Sequence, residues 1–309
     1  MKNVLLFYYG IGILSDKLNK INNNYYFTYQ NSNFLAAVYE RNVEEAIELY
    51  NLTEEMIANN IPLYKIIPTK DNNILFTYEN INYILMIMPK VKNRIITYHD
   101  VINFNYTPEG TEYNKLDKSS WTLFWANKID YIEYQFSQIE KKYSVIKESI
   151  NFYVGMWENA ISYYNTNITK ENIQKCVCHK RLSTKTDLLW FLNPLNLVID
   201  YKERDVSEYI KSFALNERYS LENLNSFLNE IPMDRNVIIR FISRTLFPSD
   251  YFDMYEKIIY DKTDENEIIK VINNKKNYLI LLKAVFKYFE KYNIPLIDWI
   301  VNEKIKLIH

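Results

Sequence analysis

Residues 176–200 read CVCHKRLSTKTDLLWFLNPLNLVID. The run from Cys176 is strand-like and ends in His179, a polar loop follows, and a second apolar run closes on a lone aspartate, Asp200. The second run, WFLNPLNLVID, contains Pro194 and is expected to be an edge strand or a hairpin arm. TKTDLL, which holds Asp187, reads as the tip of a hairpin. Two residues after His179 stands Arg181, whose guanidinium cannot accept a proton at any relevant pH.

Upstream the pattern is β-rich. Residues 24–40 (NYYFTYQNSNFLAAVYE) place two strand-like runs around a polar turn, Gln-Asn-Ser-Asn, and predict a hairpin. In the next segment Val43, Ala46, Ile47 and Tyr50 recur at helical spacing with acids in the first turn, and Asn-Asn then Pro62 stop the helix. Strands are expected over 63–69, 74–78 and 82–88, the last ended by Pro89. From about Ser119 the pattern is helical. Trp125, Ile129, Ile132, Phe136 and Ile139 step by four and three, and Tyr143, Ile146, Ile150, Tyr153, Trp157 and Ala160 continue the beat in one long helix or two consecutive ones. Beyond Asp205 helices are expected over 205–217, 221–230, 234–246, 250–260, 264–272, 275–292 and 296–307.

The chain thus divides into an N-lobe over 1–90, a hinge and connecting segment over 91–118, and a helical C-lobe over 119–309. The fold class is α+β: a two-lobed, protein-kinase-like arrangement with a small β-rich N-lobe and a larger helical C-lobe.

Composition narrows the function. A net charge of −1, from 37 basic and 38 acidic residues, argues against nucleic acid as a partner. Only 4 glycines occur, and neither GxGxxG nor GxxxxGK[ST] is present. The 28 tyrosines suit half-exposed surfaces, and the abundant asparagine and isoleucine read as codon bias. Cys176 and Cys178 point to the same side of one strand, a poor geometry for a bridge, and read as buried free thiols. His99, His179 and His309 are scattered, so no zinc site is expected. VLLFYYGIGIL, after Lys2, has no small-residue cleavage site and is too short to span a bilayer. It is read as the first element of a cytoplasmic protein.

Four segments carry a resemblance: CHKRL, WFLNPLNLVIDYKERDVSEYIKS, NFYVGMWENAISYY and, most specific, RFISRTLFPSDYFDMYEKI. They are similar to the spore-coat-associated kinase-like proteins of the CotS and YutH type, within the aminoglycoside phosphotransferase and choline kinase superfamily. The resemblance implies a kinase-like fold and an association with endospore formation, in the mother-cell cytoplasm or the spore coat.

Phosphoryl transfer needs positioned positive charge on the phosphates, magnesium held by acids, and an acid that orients the nucleophile. The superfamily pattern implies a His-x-Asp loop with an asparagine five residues after the Asp. Here His179 is followed by Lys180, Arg181 takes the Asp position, and Thr186 takes the Asn position. The phosphate-gripping lysine is expected on the second hairpin arm, which holds Ala36, Ala37 and Val38, with Arg41 beyond it. Glu44, Glu45 and Glu48 therefore read as solvated first-turn acids favoured by the helix dipole.

Asp200 matches the magnesium-binding position and reads equally as a strand-end carboxylate capping a turn. Asp205 matches the family's structural aspartate and is expected to be an N-cap. His179 is expected to be structural. Arg181 is expected to bind an anion or to pair with Asp200 and fill the metal's place. Trp121, Trp125 and Trp157 are expected in the core, Trp190 at the start of the strand after the loop, and Trp299 docking the last helix.

The reading that follows is a pseudokinase with no cofactor, partnered by other spore-coat or mother-cell proteins. The alternative is an active small-molecule kinase using ATP and Mg²⁺ with relocated groups: Asp187 or Asp200, with Lys180 or Lys202.

Overall fold

Three strand reversals turn on two residues each, and all six of those residues have positive φ: Asn22–Asn23, Gln30–Asn31 and Glu79–Asn80. Such turns follow the right-handed twist of the flanking strands but demand the left-handed region, which glycine enters freely and asparagine tolerates best among the rest. Seven of the ten non-glycine residues with positive φ among those described are asparagine. The asparagine content, expected to be codon bias, thus has a conformational use in a chain with 4 glycines.

The structure, a computed structural model, describes residues 1–302 apart from 15–16, 110–111, 140, 170–173, 216–220 and 233. The N-terminal part runs α1 (Lys2–Tyr9), β1 (Asn19–Ile21), β2 (Asn24–Tyr29), β3 (Ser32–Val38), α2 (Val43–Ala58), β4 (Lys65–Ile67), β5 (Leu75–Tyr78) and β6 (Ile81–Ile87). The strands form one antiparallel sheet in the order β1-β2-β3-β6-β4, with β5 also paired to β6. β4 is shorter than expected because Pro68 interrupts the ladder directly after Ile67.

Alternation divides β3 between two apolar layers. Phe34 and Ala36 join Phe27, Phe76 and Tyr83 on the face covered by Leu5 of α1. Leu35 and Ala37 join Ile84 and Met86 on the other face, packed against Ala46, Leu49 and Leu52 of α2. The first apolar run of the chain is therefore a lid on the sheet, ended at Gly10 with φ 71°.

The rest is helical around one small ribbon. A capping box from Thr97 and Asp100 opens α3 (Tyr98–Asn103). α4 (Trp121–Ile139) and α5 (Ser144–Asn167) are two helices rather than one. β7 (Cys176–His179) and β8 (Leu197–Asp200) pair antiparallel, with Cys176 opposite Asp200 and His179 opposite Leu197. Between them lies α6 (Leu188–Phe191), followed by a 3-10 turn over Pro194–Asn196.

The expected long extended run is thus corrected. Asp187 accepts the Trp190 N–H at 2.9 Å and caps α6, so it is not a hairpin tip, and Trp190 lies in a helix. Asn193 accepts the Leu195 N–H at 3.0 Å with Pro194 at the first helical position, where its missing N–H costs nothing.

Next come α7 (Glu203–Lys211), α8 (Leu221–Leu228), α9 (Arg235–Leu246), α10 (Ser249–Asp261), α11 (Ile269–Asn273), α12 (Lys275–Phe289) and α13 (Asp298–Asn302). His309 and the end of the helix expected over 296–307 lie outside the described residues. No helix among the described residues is long and apolar enough to cross a membrane. Cys176 and Cys178 are free and buried, their sulfurs 3.7 Å apart.

Candidate functional site: a ribbon end closed by ion pairs

Every residue of α7 is buried, although ERDVSEYIK carries five charges in nine residues. Burying a charge is tolerated only with partners, and α7 has one for each. Arg204 donates to Asp200 at 2.6 Å. Asp205 meets His179, Glu203 accepts from Arg240 at 2.8 Å, and Glu208 accepts from Lys211 at 3.1 Å and Arg244 at 2.9 Å. Burial opposes ionisation of Glu208, but Lys211 and Arg244 hold its carboxyl well below the usual carboxylate range. Burial pushes the Lys211 ammonium down to about 8 against the pull of Glu208.

Asp200 is fully buried at the end of β8. Its carboxylate accepts from the Trp121 indole at 2.8 and 3.0 Å, from Arg204 at 2.6 Å and from the Tyr201 N–H at 2.7 Å. Burial pushes its pKa up, against the pull of Arg204, Arg244 and the Trp121 hydrogen bond. Around it Trp121 stacks on Trp125 and Trp125 on Phe247, with ring centroids 5.5 and 4.5 Å apart. The Arg244 guanidinium lies 5.5 Å from the Trp121 ring and 5.6 Å from that of Trp125. A magnesium ion at Asp200 would have to displace Arg204 and the indole, so these residues do not fit the metal.

The expected Arg181–Asp200 pair is corrected. Arg181 forms a fork with Asp253 of α10, with contacts of 2.5 and 2.8 Å. The antiparallel register explains why: Asp200 stands three residues along the ribbon from the His179 end, about 10 Å at strand rise. The cation that covers Asp200 is Arg204, one helical turn on.

The expected N-cap role of Asp205 is also corrected. Lys202 is the N-cap of α7, and Asp205 lies inside its first turn, where it accepts the His179 backbone N–H at 2.8 Å and meets the ring Nδ1 at 2.6 Å. His179 Nε2 lies 2.9 Å from the Phe191 carbonyl. Both ring nitrogens are engaged and the ring is fully buried, so His179 pins the loop to α6 and α7. Thr186 faces the loop itself, accepting the Ser183 N–H at 3.0 Å.

On the sheet side, the β1–β2 connection is the two-residue turn Asn22–Asn23, too short to drape over a triphosphate. β3 offers Ala36, Ala37 and Val38 and no lysine. The acids of α2 are not merely solvated. Glu45 pairs with Arg41, Glu44 with Lys115 at 3.2 Å, and Glu48 accepts the N–H groups of Lys115 at 2.8 Å and Leu116 at 3.2 Å. Arg41 reaches across to the Leu195 carbonyl at 2.8 Å, which Lys180 Nζ also contacts at 2.5 Å.

Arg181 and Asp200 are therefore not paired directly but are linked through Arg204, which donates to Asp200 at 2.6 Å and shares the Lys180 carbonyl with Arg181, each at 2.9 Å, while Thr186 bonds within its own loop. Sequence reasoning missed Arg204, Arg244 and Asp253. The first two could not be read from ERDVSEYIK, which sets Val206, Tyr209 and Ile210 on one side and its five charges on the other, the pattern of a surface helix.

Comparison with solved structures places this architecture. Spectinomycin phosphotransferase, in an AMP-bound complex, superposes with a TM-score of 0.61 at 12% identity over 92% of this chain and 96% of its own. An aminoglycoside phosphotransferase from Alicyclobacillus acidocaldarius gives 0.60 at 8% identity over 94% and 96%. Choline kinase from Cryptosporidium parvum gives 0.50 at 10% identity over 93% and 94%. The fold is thus the kinase-like fold of aminoglycoside phosphotransferases and choline kinases. Residues 3–284 match the family described as "Spore coat putative kinase YutH", and the chain belongs to that family. A search of curated protein sequences gives no match.

Proposed function

We propose that this chain is a catalytically degenerate, kinase-like member of the spore coat family that acts by binding or scaffolding other coat or mother-cell proteins. One observation carries the reading: Asp200, at the magnesium position of the superfamily pattern, is buried and held by Arg204 and the Trp121 indole. Support comes from the arginine at the loop-acid position, the absence of a lysine on β3 and the two-residue β1–β2 turn. Losing one charge-positioning part of a kinase costs orders of magnitude in rate.

The groups open to relocated chemistry are otherwise employed. Asp187 caps α6, Lys180 contacts the Leu195 carbonyl, and Lys202 donates to the Ile102 carbonyl at 3.0 Å.

The test is a thermal-shift titration with ATP, MgCl₂ and both together, followed by a phosphoacceptor screen. The expected result is no stabilisation specific to ATP with magnesium, and no turnover. Metal-dependent stabilisation with turnover abolished in Asp200→Asn would overturn the reading.

A further inference from the structure

A groove of about 610 Å³ opens between the end of α2, α3 and α6. Ile61, Pro62, Val91, Phe104 and Leu188 give it apolar walls. Asn59, Asn60, Asn103 and Asn105 line it as well, and all four are exposed. Asn59 donates to the Tyr106 hydroxyl at 3.0 Å, whereas the side chains of Asn60, Asn103 and Asn105 make no hydrogen bond among the described residues. The one acid among the described lining residues, Asp100, is taken up by Arg94, at 2.7 Å to each oxygen, and by the Thr97 N–H at 2.6 Å. Lys90 and Lys92 flank Val91, both are exposed, and neither has an ion pair among the described residues. The segment that carries them is fixed: the Arg94 carbonyl accepts the Leu188 N–H at 2.7 Å, and the Asn93 side chain accepts the Leu189 N–H at 3.1 Å.

We infer that this groove docks an extended segment of a partner protein in which an apolar side chain is flanked by acidic ones. The apolar side chain enters beside Val91, Phe104 and Leu188 and takes their surface out of water. A side-chain amide carries the same donor and acceptor as a peptide unit, so the three free asparagines can pair with an extended backbone. The acids answer Lys90 and Lys92, which lack a counter-charge among the described residues. A basic segment would gain nothing there, because Arg94 already neutralises Asp100. The inference rests on the binding reading above for its partner. Its test contains neither nucleotide nor metal, so failure here would leave the reading of Asp200 standing.

The experiment is ligand-observed NMR on the full chain with three blocked hexapeptides: Ac-DELIDE-NH2, the basic Ac-KKLIKK-NH2, and Ac-DEGGDE-NH2, which keeps the acids without the apolar pair. Saturable binding is expected for the first alone. Lys90→Glu combined with Lys92→Glu should weaken it at least about tenfold. The same charge change at Lys257 and Lys276, exposed on α10 and α12, should alter it by less than about twofold, because distant surface charges are screened. Asn105→Trp, at an exposed lining position whose side chain has no bond to lose, crowds the groove and should abolish binding with Tm unchanged. No saturable binding of the first peptide, equal binding of either control peptide, or unchanged affinity in Asn105→Trp or in the Lys90 and Lys92 double variant would each overturn the assignment.

Discussion

At the scale of single residues, the chemistry of this protein turns on who neutralises Asp200. Removing one partner of a buried ion pair costs about 3–5 kcal/mol, because the other charge stays behind in a dry site. Arg204→Met is therefore expected to lose about that much in urea unfolding. Asp200→Asn combined with Arg204→Met should recover at least about 2 kcal/mol of it, since the asparagine keeps an acceptor for Trp121 without a stranded charge. Equal stability of the single and double variants would show that the pair is not coupled.

Glu208 gives a pH dependence with a definite sign. Its folded pKa lies below the ordinary 4.5, so the unfolded chain binds the proton first as pH falls. The stability it contributes is present above that value and is lost on acidification below it. The Tm gap between wild type and Glu208→Gln should accordingly be widest near pH 7 and narrow below about pH 4.5.

At the scale of elements, hairpins and helices were legible because their periods and stop signals are local. The 24–40 hairpin, the helix after Asn42 and the alternation in β6 need nothing beyond neighbouring residues. α6 was misread because Asp187 and Asn193 act as caps within an apolar run, where periodicity over four residues carries no information. The partners of α7 were illegible for a different reason: Arg240 and Arg244 lie more than thirty positions away, and only tertiary packing brings them to Glu203 and Glu208. The departures of Arg181, Thr186 and the Ala36–Val38 run from the superfamily pattern could be read directly; the contacts that Arg181 and Asp200 make could not.

The turns permit a test at the same scale. Gln30 has φ 47°, in the left-handed region that glycine enters freely, and its side chain makes no hydrogen bond among the described residues. Gln30→Gly is expected to raise stability by about 0.5–1 kcal/mol, measured by chemical denaturation, with the β2–β3 register unchanged. A loss of stability would mean that the side chain contributes something the hydrogen bonds do not reveal.

At the scale of the whole molecule, the β-rich part and the helical part are joined by direct protein contacts. Arg41, just past β3, links Glu45 of α2 to the Leu195 carbonyl in the loop before β8. Arg41→Met should speed amide hydrogen exchange in α2 and in the 194–196 turn together, while leaving the α7 network protected. Faster exchange in α2 alone would show that the crossing contact is incidental.

The glycine-poor turns have a further consequence. An asparagine ages fastest when its successor has no side chain, because the next backbone nitrogen can then close readily on the amide to form a succinimide. None of the four glycines follows an asparagine in this sequence. The asparagines with positive φ are followed by isoleucine, as in Asn80–Ile81 and Asn293–Ile294, by another asparagine, or, at Asn31, by Ser32. At the β5–β6 reversal, where Asn80 precedes Ile81, the strain of the left-handed conformation is therefore not compounded by fast succinimide closure.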